Sequence, residues 1–180
     1  MKATGIVRRI DDLGRIVIPK EIRKTMHIRE GAQLEIFTDS NGSVVFKKYS
    51  PIGELDESAC DYTEAVAKIT GNTIAIVDKD TVIAASGPAR REIINKKLSE
   101  ETESLIEQRK QYVYRIGEDR RPVCKEHDKA YAGIVNPIIL EGDTVGAIVM
   151  LIPEMGNAPS ESDVKVLAAA AQILSRQIET

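Results

Sequence analysis

Tryptophan is absent from this chain of 180 residues, and aromatic residues make up only 4% of it. A nucleic-acid-binding surface on which aromatic side chains stack with bases is therefore not expected. No apolar run approaches the roughly 20 residues of a membrane span, and early charged positions predict no export signal. The only two cysteines, Cys60 and Cys124, argue against a disulfide framework or a cysteine-based zinc site. We expect a soluble, cytoplasmic protein with reduced thiols, no structural metal and no membrane partner.

Positive charge is concentrated at one end of the chain. Residues 1–50 carry ten Lys or Arg and six acids, a net charge of +4, whereas residues 51–180 carry 15 and 22, a net charge of −7. A net-acidic protein binds phosphate only through a locally basic surface. This asymmetry predicts a small DNA-binding domain followed by a larger acidic one. Fifty residues bury too little apolar surface to be comfortably stable alone, so the first domain should share its core with a partner.

Short β-branched runs and turn residues organise the basic segment. Residues 4–10 and 15–18 are predicted strands, joined by a tight turn in which Gly14 is free to adopt positive φ. Pro19 suits the start of a short helix with one basic and one apolar face. Alternation in 33–37 and 43–48 predicts a hairpin, and the Asn-Gly pair between them indicates a type I′ turn.

The stretch TGIVRRIDDLGRIVIPKEIRKTMHI resembles the AbrB-type transition-state regulators, a bacterial family of swapped-hairpin DNA-binding domains. The residues that carry the likeness stand at the family's spacing: Gly5, Leu13-Gly14-Arg15, Ile18-Pro19, Glu21 and Arg23. The resemblance covers about the first fifty residues. It implies that two chains interlock their hairpins into one small β-barrel, and that this homodimer binds double-stranded DNA. It also implies a nucleoid-associated activator or repressor of sporulation genes.

The resemblance implies DNA contacts by Arg8, Arg15, Arg23 and Lys24 of both protomers. Helical spacing groups Lys20 with the last two, giving five expected DNA-binding residues. In a regular strand Arg8 and its neighbour Arg9 point to opposite faces, and the resemblance favours Arg8.

Two positions depart from the common regulator of the family, which has Arg in place of Lys24 and Gly in place of His27. Lysine presents a point charge, so we expect phosphate binding at position 24 rather than a planar contact with a base. His27 is expected to contact phosphate or solvent. The alternative for the whole set is that these charges are only solvated.

A connecting helix is predicted over residues 51–70. Six apolar residues in it recur at spacings of three and four, the pattern of a short coiled-coil seam: Ile52, Leu55, Ala59, Tyr62, Val66 and Ile69. The seam is short for a coiled coil. The alternative is that these side chains pack onto the second domain of their own chain.

Residues 71–180 are predicted to form a second sheet with helices, so the fold class is α+β. The order of elements is a hairpin at 73–77 and 82–86, a helix-prone stretch, a core hairpin at 132–140 and 144–152, and a final helix capped by Ser160. This order resembles the GAF/PAS group of small-molecule sensor domains. The resemblance implies either a ligand cavity lined by part of 87–130 or a domain that assembles a homotetramer around a filled core.

Catalysis is not expected, and no catalytic residue, cofactor or metal ligand is assigned. Cys124 and His127 are three residues apart in a charged loop, a spacing that does not define a nucleophile and base. Adding Asp128 gives no second pair of metal ligands. Two alternatives remain for the chain as a whole: an antitoxin-like protein-binding module, and an oligomerisation scaffold without a ligand.

Overall fold

The computed structural model describes residues 4–26, 28 and 30–179, apart from the side chains of 54, 56, 57, 127 and 128. The chain divides into two compact units, Met1–Tyr49 and Ser50–Thr180. The expectation for His27 lies outside the described residues, as do those for the side chains of His127 and Asp128.

The first unit opens with a loop closed by a tight turn at Asp11–Arg15. Gly14 N donates to Asp11 O at 3.0 Å, Asp11 N donates to Arg15 O at 3.1 Å, and Gly14 takes φ 75°. Residues 4–19 contain no strand, so the prediction of two strands here does not hold for the single chain. A strand requires backbone hydrogen bonds to a neighbour, and among the described residues 4–18 the backbone bonds are those of the Asp11–Arg15 turn.

Helix α1 spans Lys20–Thr25, as the sequence predicts, with Pro19 immediately before it. Proline fits this position because the first amides of a helix have no intrahelical acceptor and its fixed φ suits the entry. Such a short helix is stabilised by packing rather than by its own hydrogen bonds.

Strands β1 (Leu34–Thr38) and β2 (Val44–Lys48) form the predicted antiparallel hairpin, with Ile36 opposite Phe46. The type I′ prediction for its turn is wrong, because Gly42 has φ 78° but Asn41 does not have positive φ. Asp39 organises the turn instead. Its carbonyl accepts from Gly42 N, and its Oδ1 accepts from Asn41 N and Ser43 N.

The second unit is built on a six-stranded sheet in the order β4-β3-β8-β7-β5, with β6 also paired to β7. The strands are β3 (Thr73–Val77), β4 (Val82–Ser86), β5 (Tyr112–Val113), β6 (Pro122–Cys124), β7 (His127–Leu140) and β8 (Asp143–Pro153). All of the pairings are antiparallel. The two predicted hairpins are confirmed, and β3 and β8 lie side by side at the centre of the sheet.

Helices cover both faces of this sheet. A 3₁₀ turn (Pro51–Leu55), α2 (Asp56–Thr70) and α5 (Glu161–Ile178) pack over one apolar cluster that includes Ile74, Ile148 and Leu174. Helices α3 (Arg90–Ile93) and α4 (Glu100–Glu107) cover the opposite face of the sheet, over a second apolar cluster that includes Leu98, Leu105 and Val149. Ser160 caps α5 in a reciprocal capping box with Asp163, as predicted.

The apolar seam of α2 faces the sheet of its own unit. Ile52, Ala59 and Val66 are buried in the first cluster, with Leu55 and Tyr62 packed against it, whereas Ile69 is 70% exposed. The coiled-coil interpretation therefore does not hold for these five side chains within the chain. The same spacing suits a helix on a sheet, and the sheet is the nearer apolar partner.

Candidate nucleic-acid interface

The tight turn presents Arg15 in a fixed arrangement. Arg15 Nε donates to Asp11 Oδ2 at 2.8 Å, while its backbone N donates to Asp11 Oδ1 at 2.7 Å. Leu13 N donates to the same Oδ1 at 3.0 Å. These bonds, first the backbone bond from Arg15 and then its side chain, lower the pKa of Asp11 below its usual value. The carboxylate is therefore charged at neutral pH, and the outer edge of the guanidinium faces solvent.

Arg8 and Arg9 are both exposed on the segment that leads into this turn. Strand alternation was expected to separate them, with Arg8 on the DNA side. Because residues 4–10 form no strand in the single chain, strand alternation does not place the two side chains on opposite faces there.

Helix α1 contributes Lys20, Arg23 and Lys24. Both lysines are exposed, whereas Arg23 is only partly exposed. Its Nε is enclosed and has no hydrogen-bond acceptor among the described residues. An enclosed donor without an acceptor is costly.

The first unit leaves its apolar side chains open. Among the described residues 4–49, Pro19 is the one apolar residue that is buried, and the exposed ones include Val7 (86%), Val17 (73%) and Leu13 (70%). Both hairpin arms also expose apolar residues, such as Ile36 and Val44. A unit with this many solvent-exposed apolar side chains lacks most of the hydrophobic burial that drives folding.

A second candidate site lies in the C-terminal unit. An open depression of about 410 Å³ is lined by Gln111, Tyr112, Val113, Arg115, Glu118 and Arg121. The Arg121 guanidinium lies 4.8 Å from the centre of the Tyr112 ring. Burial raises the pKa of Tyr112, with Arg121 opposing that shift and Glu118 adding to it. The Tyr112 hydroxyl is enclosed and has no hydrogen-bond partner among the described residues.

Arg120 makes different contacts from its neighbour Arg121. Its terminal nitrogens donate to Pro153 O at 2.9 Å and Gly156 O at 3.0 Å, and its guanidinium lies over the rings of Tyr114 and Tyr131. Arg120 therefore fastens the loop after β8 to the sheet. Only Arg115 and Arg121 bring positive charge to the depression.

Cys124 is unsuited to nucleophilic chemistry. The residue is 2% exposed, and burial raises the pKa of its thiol to about 11, against a smaller lowering by Lys96. Since the thiolate is the nucleophile, a thiol that keeps its proton at neutral pH is inert. Among the described residues, no group of three or more His, Cys, Asp or Glu is placed to hold a metal ion. No helix in the described ranges is long and apolar enough to cross a membrane.

Sequence reasoning missed Asp11. The signal was present, because Asp-x-x-Gly occurs twice in the first fifty residues, as Asp11 to Gly14 and as Asp39 to Gly42. Both aspartates accept the same backbone bonds from the residues two and four places on. Reading the pattern as a turn with a side-chain acceptor would have identified Asp11 as the residue that forms the turn before Arg15.

Comparisons with known proteins agree along the chain. Residues 54–179 match the family described as "Stage V sporulation protein T C-terminal, transcription factor", and residues 7–54 match "Antidote-toxin recognition MazE, bacterial antitoxin". Stage V sporulation protein T of Bacillus subtilis is 43% identical over 179 residues, which is 99% of each chain.

Two solved structures resemble the separate units. The N-terminal DNA recognition domain of the Bacillus subtilis transition-state regulator AbrB is 53% identical, and the match covers 28% of this chain and 94% of that one with a TM-score of 0.24. That likeness is one of sequence. A GAF domain/HD domain protein from Geobacter sulfurreducens is 13% identical with a TM-score of 0.50, and the match covers 71% of this chain and 95% of that one. It shows a GAF-like fold in the C-terminal unit.

Proposed function

Because the chain belongs to the stage V sporulation protein T family of transcription factors, it is a DNA-binding regulator of sporulation rather than an enzyme, and we propose how its two units share that work. The first unit dimerises and binds double-stranded DNA in the cytoplasm, at the nucleoid. The second unit assembles dimers into a homotetramer and responds to a small molecule. Activation and repression then differ by where the bound protein lies relative to each promoter.

The exposed apolar surface of the first unit carries the dimer proposal. Apart from Pro19, none of the apolar residues described in 4–49 is buried, although the Asp11 and Asp39 turns and the β1–β2 hairpin are formed. A second copy that interlocks its hairpins with the first would bury Val7, Val17 and Ile36 and supply the missing strand partners. Both gains come from the same event, so the barrel and the DNA surface form together.

The basic side chains carry the DNA proposal. We infer that Arg8, Arg15, Lys20, Arg23 and Lys24 of both protomers face the duplex. The Arg15 side chain is 69% exposed at the Asp11–Arg15 turn, and both lysines of α1 are exposed. Phosphate contacts of this kind give affinity and register, while side chains with forked donors can also read guanine.

Salt titration of DNA binding tests this proposal with the full-length protein. The variants are Arg15→Ala, Arg23→Ala and, as a matched control of equal charge on the same segment, Arg9→Ala. Each lost phosphate contact lowers the log–log salt slope by roughly 0.9, hence about 1.8 for two protomers. Both of the first two variants should bind DNA more weakly, and Arg23→Ala should show the shallower slope, whereas Arg9→Ala should keep most of the wild-type affinity and slope. Unchanged affinity in both Arg15→Ala and Arg23→Ala would show that this face does not bind DNA.

The depression beside β5 supports ligand sensing in the second unit. Two guanidinium groups and one carboxylate line it, so its ligand would carry an anionic group and would be zwitterionic if it also used Glu118. A ligand alters regulation only if it prefers one arrangement of the linked DNA-binding units.

Thermal-shift measurements with inorganic phosphate and a panel of small carboxylates and amino acids would test the depression. A compound that stabilises the wild type should lose its effect on Arg121→Ala and should retain it on the matched control Arg91→Ala. If no compound discriminates these variants, the second unit is the ligand-free scaffold, for which a tetramer in sedimentation is the expected state.

The antitoxin-like alternative rests on the family match of residues 7–54. An antitoxin of this fold would bind its toxin through a disordered acidic tail. Residues 50–180 instead form a sheet with two apolar clusters, which favours the regulator.

A further inference from the structure

Two turns of the first unit have the same backbone design. In each, an aspartate carbonyl accepts from the glycine three places on, and its Oδ1 accepts from the amides two and four places on. The pKa of Asp39 is lowered, chiefly by its bond from Ser43 N, just as Asp11 is affected by Arg15 N. The aspartate is therefore sufficient to form the turn without any help from an arginine.

The two turns differ at their fifth residue, which is Arg15 in one and Ser43 in the other. Only Asp11 uses its second oxygen, Oδ2, to hold a guanidinium by Nε at 2.8 Å. The side chains of the pair are 69% exposed for Arg15 and 38% exposed for Asp11. This ion pair is an addition to the turn rather than part of what forms it.

Holding Arg15 by Nε has two consequences for a DNA contact. The two terminal nitrogens remain free, and they are the fork that matches O6 and N7 of guanine. The carboxylate also offsets the positive charge, which weakens the attraction to phosphate at any sequence. Both effects favour contact with a base edge over contact with the backbone.

We propose that Asp11 is a specificity-determining positioning residue, which holds Arg15 for reading a base and suppresses its use as a phosphate clamp. The inference rests on the proposed contact of Arg15 with DNA. It predicts that removing the charge of Asp11 strengthens binding to unrelated DNA while weakening discrimination between sequences. A residue that only shaped the turn would change both affinities in the same direction.

The experiment compares two duplexes with full-length protein: one enriched from a random-sequence pool by the wild type, and a scrambled duplex of the same composition. Asp11→Asn keeps an Oδ1 acceptor for the turn and removes the charge. Asp39→Asn is the matched control, since it makes the same change in a turn that holds no arginine. Far-UV circular dichroism melts establish that each variant folds.

Asp11→Asn should lower the ratio of enriched to scrambled affinity by about tenfold or more, within the range of one good bidentate base contact. Its salt slope on the scrambled duplex should steepen by roughly 0.9 for each Arg15 released to a phosphate. Asp39→Asn should keep the wild-type ratio. An unchanged ratio for Asp11→Asn, or an equal loss for Asp39→Asn, overturns the proposal.

A double-mutant cycle separates positioning from turn formation. Arg15→Lys keeps the charge but lacks Nε and the fork, so it should lose the same discrimination, and adding Asp11→Asn to it should cost no further discrimination. Additive losses would mean that Asp11 acts without Arg15 and would overturn the proposal. Arg15→Ala tests whether Arg15 contacts DNA at all. If that variant keeps both the DNA affinity and the ratio of enriched to scrambled affinity, the proposed contact fails. If Arg15→Ala loses both while Asp11→Asn keeps both, only the inference about Asp11 fails.

Discussion

Truncation of Val7 to alanine tests whether the first unit depends on a second copy for its core. Val7 is 86% exposed in the single chain, so almost all of its side chain is available for burial between protomers. The change removes two methyl-sized groups, worth about 0.8 kcal/mol each when buried, or about 1.4 kcal/mol per chain after scaling by the exposed fraction. Two copies lose about 3 kcal/mol, which corresponds to about a 100-fold weaker association.

Hydrogen exchange followed by mass spectrometry can resolve this effect unit by unit in the full-length protein. The amides of β1 and β2 should exchange about 100-fold faster in Val7→Ala. Those of β7 and β8 should be unaffected, because they belong to the second unit. Ile116→Ala is the control, since Ile116 is 85% exposed but lies in the second unit. Equal protection of β1 and β2 in Val7→Ala and wild type would refute the shared core and, with it, the argument that dimerisation creates the DNA surface.

Three further predictions concern the second unit. Gly146→Ala should lower the stability of this unit by about 2–3 kcal/mol, because the added methyl group would overlap the Val77 carbonyl oxygen and the Ile52 side chain. Gly53→Ala is the control, since a methyl group there meets only ordinary contacts. Equal melting temperatures for the two variants would contradict the prediction. Cys60 should react with Ellman's reagent in the folded protein while Cys124 should not, since only Cys60 is exposed. Burial raises the pKa of Cys124 to about 11 in the folded protein, so the thiol of the unfolded chain ionises at a lower pH than the folded one. The free energy of unfolding should therefore fall as the pH rises from about 9 to 11. Urea unfolding should show a smaller fall in Cys124→Ala than in the wild type.

Elements fixed by local chemistry were predictable. The turn with Gly14, the short helix after Pro19 and the cap at Ser160 depend on residues within a few positions of one another. The two hairpins of the second unit followed from apolar runs separated by charged turns. The turn at Asn41-Gly42 shows the limit of a dipeptide rule, because the side chain of Asp39 offered the backbone a competing set of hydrogen bonds.

The candidate site was predictable in its charges but not in its geometry. Sequence reasoning selected five DNA-binding candidates from the ten basic residues of the first fifty, yet it could not show that Arg23 is partly enclosed or that Asp11 holds Arg15. Such relations depend on side-chain direction and on what covers each group, which spacing alone does not specify.

The sequence by itself determined where charge, turns and apolar periodicity lie, and so determined that a small basic unit precedes a larger sheet unit. Only the tertiary structure decided what each apolar stripe packs against. The spacing of Ile52, Ala59 and Val66 suits a partner helix or a sheet equally, and the sheet of the second unit covers them. Likewise, Cys124 lies in a charged stretch of sequence and still is buried. Local hydrogen bonds are encoded by neighbouring residues, whereas burial depends on groups brought together from distant parts of the chain.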